Sequence, residues 1–194
     1  MNRAADIAVG GLALALTSPL LAAAALAIKL EDGGPVLYRQ ARVGKDGHDI
    51  EVLKLRSMVV GAERQGAGFA VDRGDARITR VGRILRRTSI DELPQLWNVV
   101  RGDMSVIGPR PTLRYQVDRY DERQRKRLDV RPGLTGWAQV NGRASLPWAD
   151  RIELDVWYVE HRSPLVDLKI LLRTPLALFG GTYRGSGGGW RAED

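Results

Sequence analysis

The sequence predicts a mostly helical α+β protein with an apolar N-terminal membrane helix. Three observations predict that class. Ile7 to Ile28 is one uncharged run of 22 residues. Two short strand-like segments, Val36 to Arg39 and Ile50 to Leu55, flank the turn Gly44-Lys45-Asp46-Gly47. Apolar residues recur at helical spacing through much of the C-terminal half.

Composition narrows the chemistry. The chain has 194 residues, with 30 Lys or Arg against 23 Asp or Glu, a net charge of +7. Charge of this sign suits an anionic partner: nucleic acid, a lipid surface or a phosphorylated substrate. Cysteine is absent. That excludes disulfides, thiolate metal sites and a cysteine nucleophile. Only His48 and His161 exist, which argues against a histidine-rich zinc site. No G-x-S-x-G elbow accompanies them.

The apolar run is roughly 33 Å long as a helix, enough to cross a bilayer. Ala25-Leu26-Ala27 mimics a signal cleavage site, but Asp6 beside Arg3 and the length of the run argue against a secretory signal. Pro19 lacks an N–H, so the carbonyl of Ala15 loses its helical partner and a kink follows. Hydroxyls of Thr17 and Ser18 can bond the freed carbonyls, which makes a break at Ser18-Pro19 tolerable in lipid. Arg3 precedes the run, and Lys29, Arg39 and Arg42 follow it. Positive charge therefore does not distinguish the two ends. At this level a kinked spanning helix and a re-entrant hairpin with both ends cytoplasmic stand equal.

Beyond the turn cluster Glu31 to Pro35, the chain divides by pattern. Residues 1–30 read as the membrane helix, 31–179 as one folded domain and 180–194 as a flexible glycine-rich tail. Gly61 to Asp75 reads as a loop. Thr112 to Leu128 reads as one charged helix, and Arg131 to Arg143 as an ordered loop. Trp148 to Glu160 is an amphipathic helix with Ile152, Val156 and Val159 on one face. Leu165 to Phe179 is an apolar helix interrupted at Pro175. Trp157, Tyr158, Leu171, Leu172, Leu176 and Phe179 suit either a bilayer interface or an ordinary core.

The most informative stretch is Ser89 to Asn98, which contains Asp91-Glu92. Ser89 and Glu92 have capping-box spacing, placing the two carboxylates in the first turn of a helix. Alone, that reading is complete: Glu92 caps and Asp91 complements the helix dipole. The surroundings point elsewhere. Arg80, Arg83, Arg86 and Arg87 lie upstream, and Gly108-Pro109-Arg110-Pro111 stiffens a loop carrying Arg110. Arginines at a helix N-terminus make a phosphate site. A carboxylate there calls for a hard cation such as Mg²⁺. It can also attack phosphorus to form an acyl phosphate, with the adjacent carboxylate as base. Asp155 is a further acid within an apolar helix.

Six motifs in order resemble the bacterial sugar transferases, more narrowly the small monotopic polyprenyl-phosphate phosphoglycosyl transferases. They are Thr17-Ser18-Pro19-Leu20, Lys54-Leu55-Arg56-Ser57-Met58, Asp91 to Leu96, Gly102-Asp103-Met104-Ser105, Gly108 to Pro111 and Arg131 to Trp137. The resemblance runs from about Arg3 to Phe179. It implies a re-entrant helix broken at Ser18-Pro19, with amphipathic interfacial helices on the cytoplasmic face of the bacterial inner membrane. It implies transfer of a phosphosugar from a UDP-sugar to polyprenyl (undecaprenyl) phosphate, with release of UMP. Asp91 would be the nucleophile and Glu92 the base. Arg86 and Arg110 would hold phosphates, and Asp91 and Asp155 would place Mg²⁺. Lys54 or Arg56 would line the pocket; Arg56 stands where the family frequently has Lys. Expected partners are the two substrates and membrane lipid, without nucleic acid; a homodimer is compatible. The contrasting readings are a nucleic-acid binder using Arg123 to Arg127, a non-catalytic membrane scaffold, and a direct ternary mechanism without covalent enzyme.

Overall fold

The computed structural model describes residues 2–65, 74–142 and 145–179, with no side-chain account of 178 and 179. The glycine-rich tail at 180–194 lies outside the described residues, as do parts of the loop between Gly61 and Asp75. The fold class is the expected one: mostly helical, with two small sheets and a long apolar first helix.

Helix α1 (Arg3–Asp32) is long and apolar enough to cross a membrane. Asn2 caps its start by accepting from the Ala5 N–H, and Gly33 closes its end at φ 70°, a left-handed turn that glycine adopts without strain. The helix runs through Ser18-Pro19 as one element rather than ending there. The reason is local. Ser18 Oγ donates to the Ala15 carbonyl at 2.8 Å and Thr17 Oγ1 to that of Ala13 at 2.7 Å. The acceptor that Pro19 orphans is thereby satisfied.

Both ends of α1 hold the same domain. At the start, Arg3 donates to the carbonyls of Val99 and Val100. Buried Asp6 accepts from Ser105 Oγ and the Val106 N–H. At the end, Ala24 and Ile28 pack with Leu55 and Leu85, while Asp32 pairs with Arg56. No residue from 11 to 23 is buried. Leu12, Leu16 and Leu20 of that middle stretch are exposed.

Strands β1 (Leu37–Val43) and β2 (Asp49–Leu55) form an antiparallel hairpin, with Tyr38 opposite Lys54. A second, parallel pair joins β3 (Ser105–Ile107) to β4 (Gly133–Thr135). Between the sheets run α2 (Arg80–Thr88) and α3 (Gln95–Arg101). The side chain of fully buried Asn98 ties α3 to the free edge of β2, accepting from the Leu53 N–H and donating to the Glu51 carbonyl.

The expected charged helix from Thr112 to Leu128 is instead α4 (Arg114–Val117), α5 (Glu122–Arg125) and a 3₁₀ turn. Val117 and Tyr120 are drawn into the core, and Asp121 starts a new helix by capping Gln124. The expected loop from Arg131 contains β4 and the short helix α6 (Trp137–Val140). Helices α7 (Trp148–His161) and α8 (Pro164–Phe179) complete the chain. Pro175 does not interrupt α8. Its missing N–H leaves only the Leu171 carbonyl without a helical donor.

Trp157 and Tyr158 turn inward. Tyr158 is buried and donates to Asp167, while Trp157 stacks on Trp137. Leu165, Leu168, Leu172 and Leu176 of α8 stay exposed. The helix pair therefore divides the two roles its composition allowed. Aromatic bodies fill the core, and a leucine face is left outward.

Candidate active site

The site is assembled where α2 hands over to α3. Ser89 takes a left-handed conformation at φ 58°, and its N–H closes α2 on the Arg86 carbonyl. The chain reverses there, and Ile90–Glu92 follows as a single 3₁₀ turn. The expected capping box does not form: the Ser89 side chain makes no cap bond. Glu92 reaches two cations instead. Lys54 Nζ donates to its Oε1 at 2.9 Å, and both terminal nitrogens of Arg110 donate to its carboxylate. Charged donors are stronger partners for a carboxylate than a main-chain N–H.

Arg110 is placed by backbone. Gly108 donates to Thr135 and Gly133 to the Pro109 carbonyl, so the loop is tied into the β3–β4 pair. A Cβ on Gly136 would stand 2.1 Å from the Gly108 oxygen, so no side chain fits at that approach. From behind, Arg127 donates to the Arg110 carbonyl at 3.1 Å.

Adjacent carboxylates acquire opposite character. Asp91 is 9% exposed, and burial, then the charge of Glu92, push its carboxyl up to about 6. Burial would also raise Glu92, but Arg110 and Lys54 overcome it and hold its carboxyl well below the ordinary range. Asp91 faces the charges of Lys54, Arg86 and Arg110. Among the described residues, no hydrogen bond to its carboxylate is present.

Asp91 opens onto a cavity of about 300 Å³. Its floor includes Tyr38, Gln40 and Arg42 from one face of β1, Lys54 from β2 and Arg86 from α2. Residues 58–63 form a further wall. The structure thus brings together Asp91, Glu92, Lys54, Arg86 and Arg110, all singled out from sequence. Tyr38, Gln40 and Arg42 escaped that reading. Their only signal is i, i+2, i+4 alternation on a strand.

Two expected site residues lie differently. Arg56 borders the cavity, yet its guanidinium is buried and committed to Asp32 and the Pro35 carbonyl. It joins the end of α1 to β2. Asp155, expected to share a metal with Asp91, sits buried in α7 against Arg127. Its other oxygen has no hydrogen-bond partner among the described residues. Burial pushes its carboxyl up, against the pull of Arg127.

The donor set bears on a cation in a simple way. Mg²⁺ takes hard oxygens and accepts one or two carboxylates with substrate phosphates and water. Asp91 fits that demand; Asp155 gives one oxygen to Arg127 and keeps the other unpartnered among the described residues. Among the described residues no three His, Asp or Glu side chains form a metal-binding group. Of the basic run Arg123 to Arg127, Arg123 pairs with Glu153, Lys126 with Glu160, and Arg127 is buried.

A carboxylate pair set among cations suits phosphorylated substrates, and the long apolar helix is of a length to cross a membrane. The chain belongs to the bacterial sugar transferases, whose family pattern matches residues 1–181. It is 41% identical over 90% of its length to an uncharacterized sugar transferase, EpsL, of Bacillus subtilis, covering 85% of that protein. It is 49% identical over 89% of its length to the UDP-glucose:undecaprenyl-phosphate glucose-1-phosphate transferase of Caulobacter vibrioides, covering 67% of it. An N-acetylgalactosaminephosphotransferase of Aeromonas hydrophila, acting between UDP-N-acetylgalactosamine and undecaprenyl phosphate, is 46% identical over 90% of the chain. The chain spans 42% of that longer protein.

Proposed function

We propose that this protein transfers a sugar phosphate from a UDP-sugar to polyprenyl phosphate through a covalent aspartyl intermediate. One observation carries the reading. Asp91 is a buried carboxylate of raised basicity, without a hydrogen bond among the described residues, in a cavity lined by Arg42, Lys54 and Arg86. An Asp91 oxygen attacks the phosphorus that bears the sugar. The bond from that phosphorus to the UMP oxygen breaks, and UMP leaves with the electron pair. An oxygen of the lipid phosphate then attacks the same phosphorus, and the bond to Asp91 breaks. The carboxylate is restored, and a polyprenyl diphosphate sugar departs. Each step is an in-line displacement needing mainly placement and charge neutralisation.

Glu92 is a weak base in this setting, because Lys54 and Arg110 hold it ionised. A phosphate monoester already carries about −1.5 to −2 charges at pH 7, so its oxygen needs little help. The pairing favours Glu92 as the residue that aims Lys54 and Arg110 at phosphate oxygens. Mg²⁺ would be held by Asp91 together with substrate oxygens, and when bound it supplies neutralisation of phosphate charge.

We place the protein at the inner membrane with its domain on the cytoplasmic face. A straight span would set the two ends of α1 on opposite sides of the bilayer. Here both hold one domain, which favours the re-entrant arrangement. The exposed leucines of α1 and α8 would face lipid.

The deciding experiment is mass spectrometry of the protein incubated with donor alone. The expected result is a phosphosugar adduct on the peptide containing Asp91, with UMP released. Asp91→Asn should lose both, while Glu92→Gln keeps a trace of adduct. An adduct on another residue, or full turnover by Asp91→Asn, would overturn the reading.

A further inference from the structure

Buried arginines in this protein come with carboxylates. Arg56 has Asp32, Arg77 has Asp75 and Arg127 has Asp155. Arg110 of the site has Glu92. Arg42 is the contrast. It is half-buried in the wall of the Asp91 cavity. Its guanidinium donates to Gln40 Oε1 at 2.7 Å and to the Pro111 carbonyl at 3.3 Å. Both acceptors are neutral, and among the described residues Arg42 makes no ion pair.

A guanidinium withdrawn from water without a counter-charge is unfavourable. Burial, and then the charge of Arg110, push Arg42 down to about 10. The fold nevertheless holds it in place. Gln40 is itself buried and lies two residues away on the same face of β1. Its carbonyl oxygen fixes one terminal nitrogen of Arg42, and the Pro111 carbonyl fixes the other. Among the described residues, Arg42, Lys54 and Arg86 line the cavity with two carboxylates, Asp91 and Glu63; no ion pair joins Arg42 to either, and Glu92 is already shared by Lys54 and Arg110. The Arg42 guanidinium, held by two neutral acceptors, leaves a place for an anion.

We infer that Arg42, aimed by Gln40, is a phosphate-binding residue for the transfer reaction, the missing counter-charge being a phosphate brought by a substrate. The inference rests on the transferase reading above. Phosphate reaches this cavity from two sources, the nucleotide and the carrier lipid. The chemistry required of Arg42 is the same for both: paired, charge-assisted hydrogen bonds to phosphate oxygens.

The test uses the full chain in detergent or nanodiscs. Arg42→Gln removes the charge. Gln40→Glu keeps the size of the partner but gives Arg42 an internal carboxylate. Both should weaken phosphate binding by about tenfold or more, the scale of one charge-assisted contact. Arg42→Lys should restore part of it. A rise in the KM for UDP-sugar together with the inhibition constant of UMP assigns the phosphate to the nucleotide. A rise in the KM for polyprenyl phosphate alone assigns it to the lipid. If all three constants stay within about twofold in Gln40→Glu and Arg42→Lys, the inference is wrong. A purely structural role for Arg42 predicts lost stability and lost kcat with these constants unmoved, and that outcome also overturns it. Calorimetric titration with UMP and with inorganic phosphate needs no turnover. Should Asp91→Asn retain activity, the covalent reading fails, yet weaker titration by Gln40→Glu would still uphold Arg42. Titrations indistinguishable from the unaltered protein would reject Arg42 alone.

Discussion

Asp91 and Glu92 are neighbours in sequence, but their surroundings set them apart. Glu92 meets Lys54 and Arg110, whereas Asp91 meets mostly a cavity wall. This has a consequence for stability. The Asp91 carboxyl rises from 3.8 to about 6 on folding. A raised acid favours the folded state fully only below its unfolded value, and that contribution is lost as pH rises through the folded one. At neutral pH the ionised, buried Asp91 is therefore a burden. In metal-free buffer, Asp91→Asn should be more stable at pH 8, by up to about 3 kcal/mol at 1.36 kcal/mol per pH unit. The gain should shrink as pH falls from about 6 and vanish below about 4. Denaturant melts across that range check it; equal stability at all pH values would show that Asp91 is not perturbed. At this scale the sequence was informative where chemistry is local. Asp91-Glu92, Arg86 and Arg110 stand in short motifs. Arg42 and Gln40 were hidden, because only the strand register of β1 on β2, and the packing of β2 on the α2–α3 turn, bring them to the cavity of Asp91. Arg127 was hidden for a similar reason, since its partner Asp155 comes 28 residues later.

Elements hold the site through few, well-buried contacts. The pair of Asp155 on α7 and Arg127 beside α5 is nearly closed to solvent, and Arg127 also reaches Tyr120 and the Arg110 carbonyl. Asp155→Asn leaves a buried guanidinium without its counter-charge, and should destabilise by about 3–5 kcal/mol. The double change Arg127→Met with Asp155→Leu should recover most of that loss, because two apolar side chains remove both desolvated charges together. Activity should not recover with it, since the Arg110 carbonyl still lacks its donor. Thermal melts and UMP-release rates on the same samples separate the effects; full recovery of rate would deny the pair any role in placing Arg110. Element boundaries were legible where a helix face is continuous, as in α7. They were not legible between Thr112 and Leu128. There, charge at nine of seventeen positions conceals the inward pull of Val117 and Tyr120 on a chain that helical propensity alone would keep straight.

For the whole molecule, the outline was legible in the sequence. The long apolar run, the hairpin and the late helices are all present, because each depends on its own residues. How they close on one another was not, since it rests on pairs such as Asp6 with Ser105 and Asp32 with Arg56. One global expectation concerns the cation. Excess chelator should suppress transfer, and Mg²⁺ should restore it; an unchanged rate in chelator would remove the ion from the reaction. A second follows from the way α1 is fastened. Its end supplies the counter-charge of Arg56, and Glu31 accepts from the first N–H groups of α2, those of Arg80 and Val81. Its start satisfies β3 through Asp6. Excising residues 1–33 should therefore leave an unfolded or aggregated remainder, visible by circular dichroism and size-exclusion chromatography; a compact, monomeric remainder would contradict this. The leading helix is thus no detachable tether. It is a load-sharing beam of the catalyst itself, so a strategy that trims it away to obtain a water-soluble enzyme would dismantle the very chamber it hoped to release.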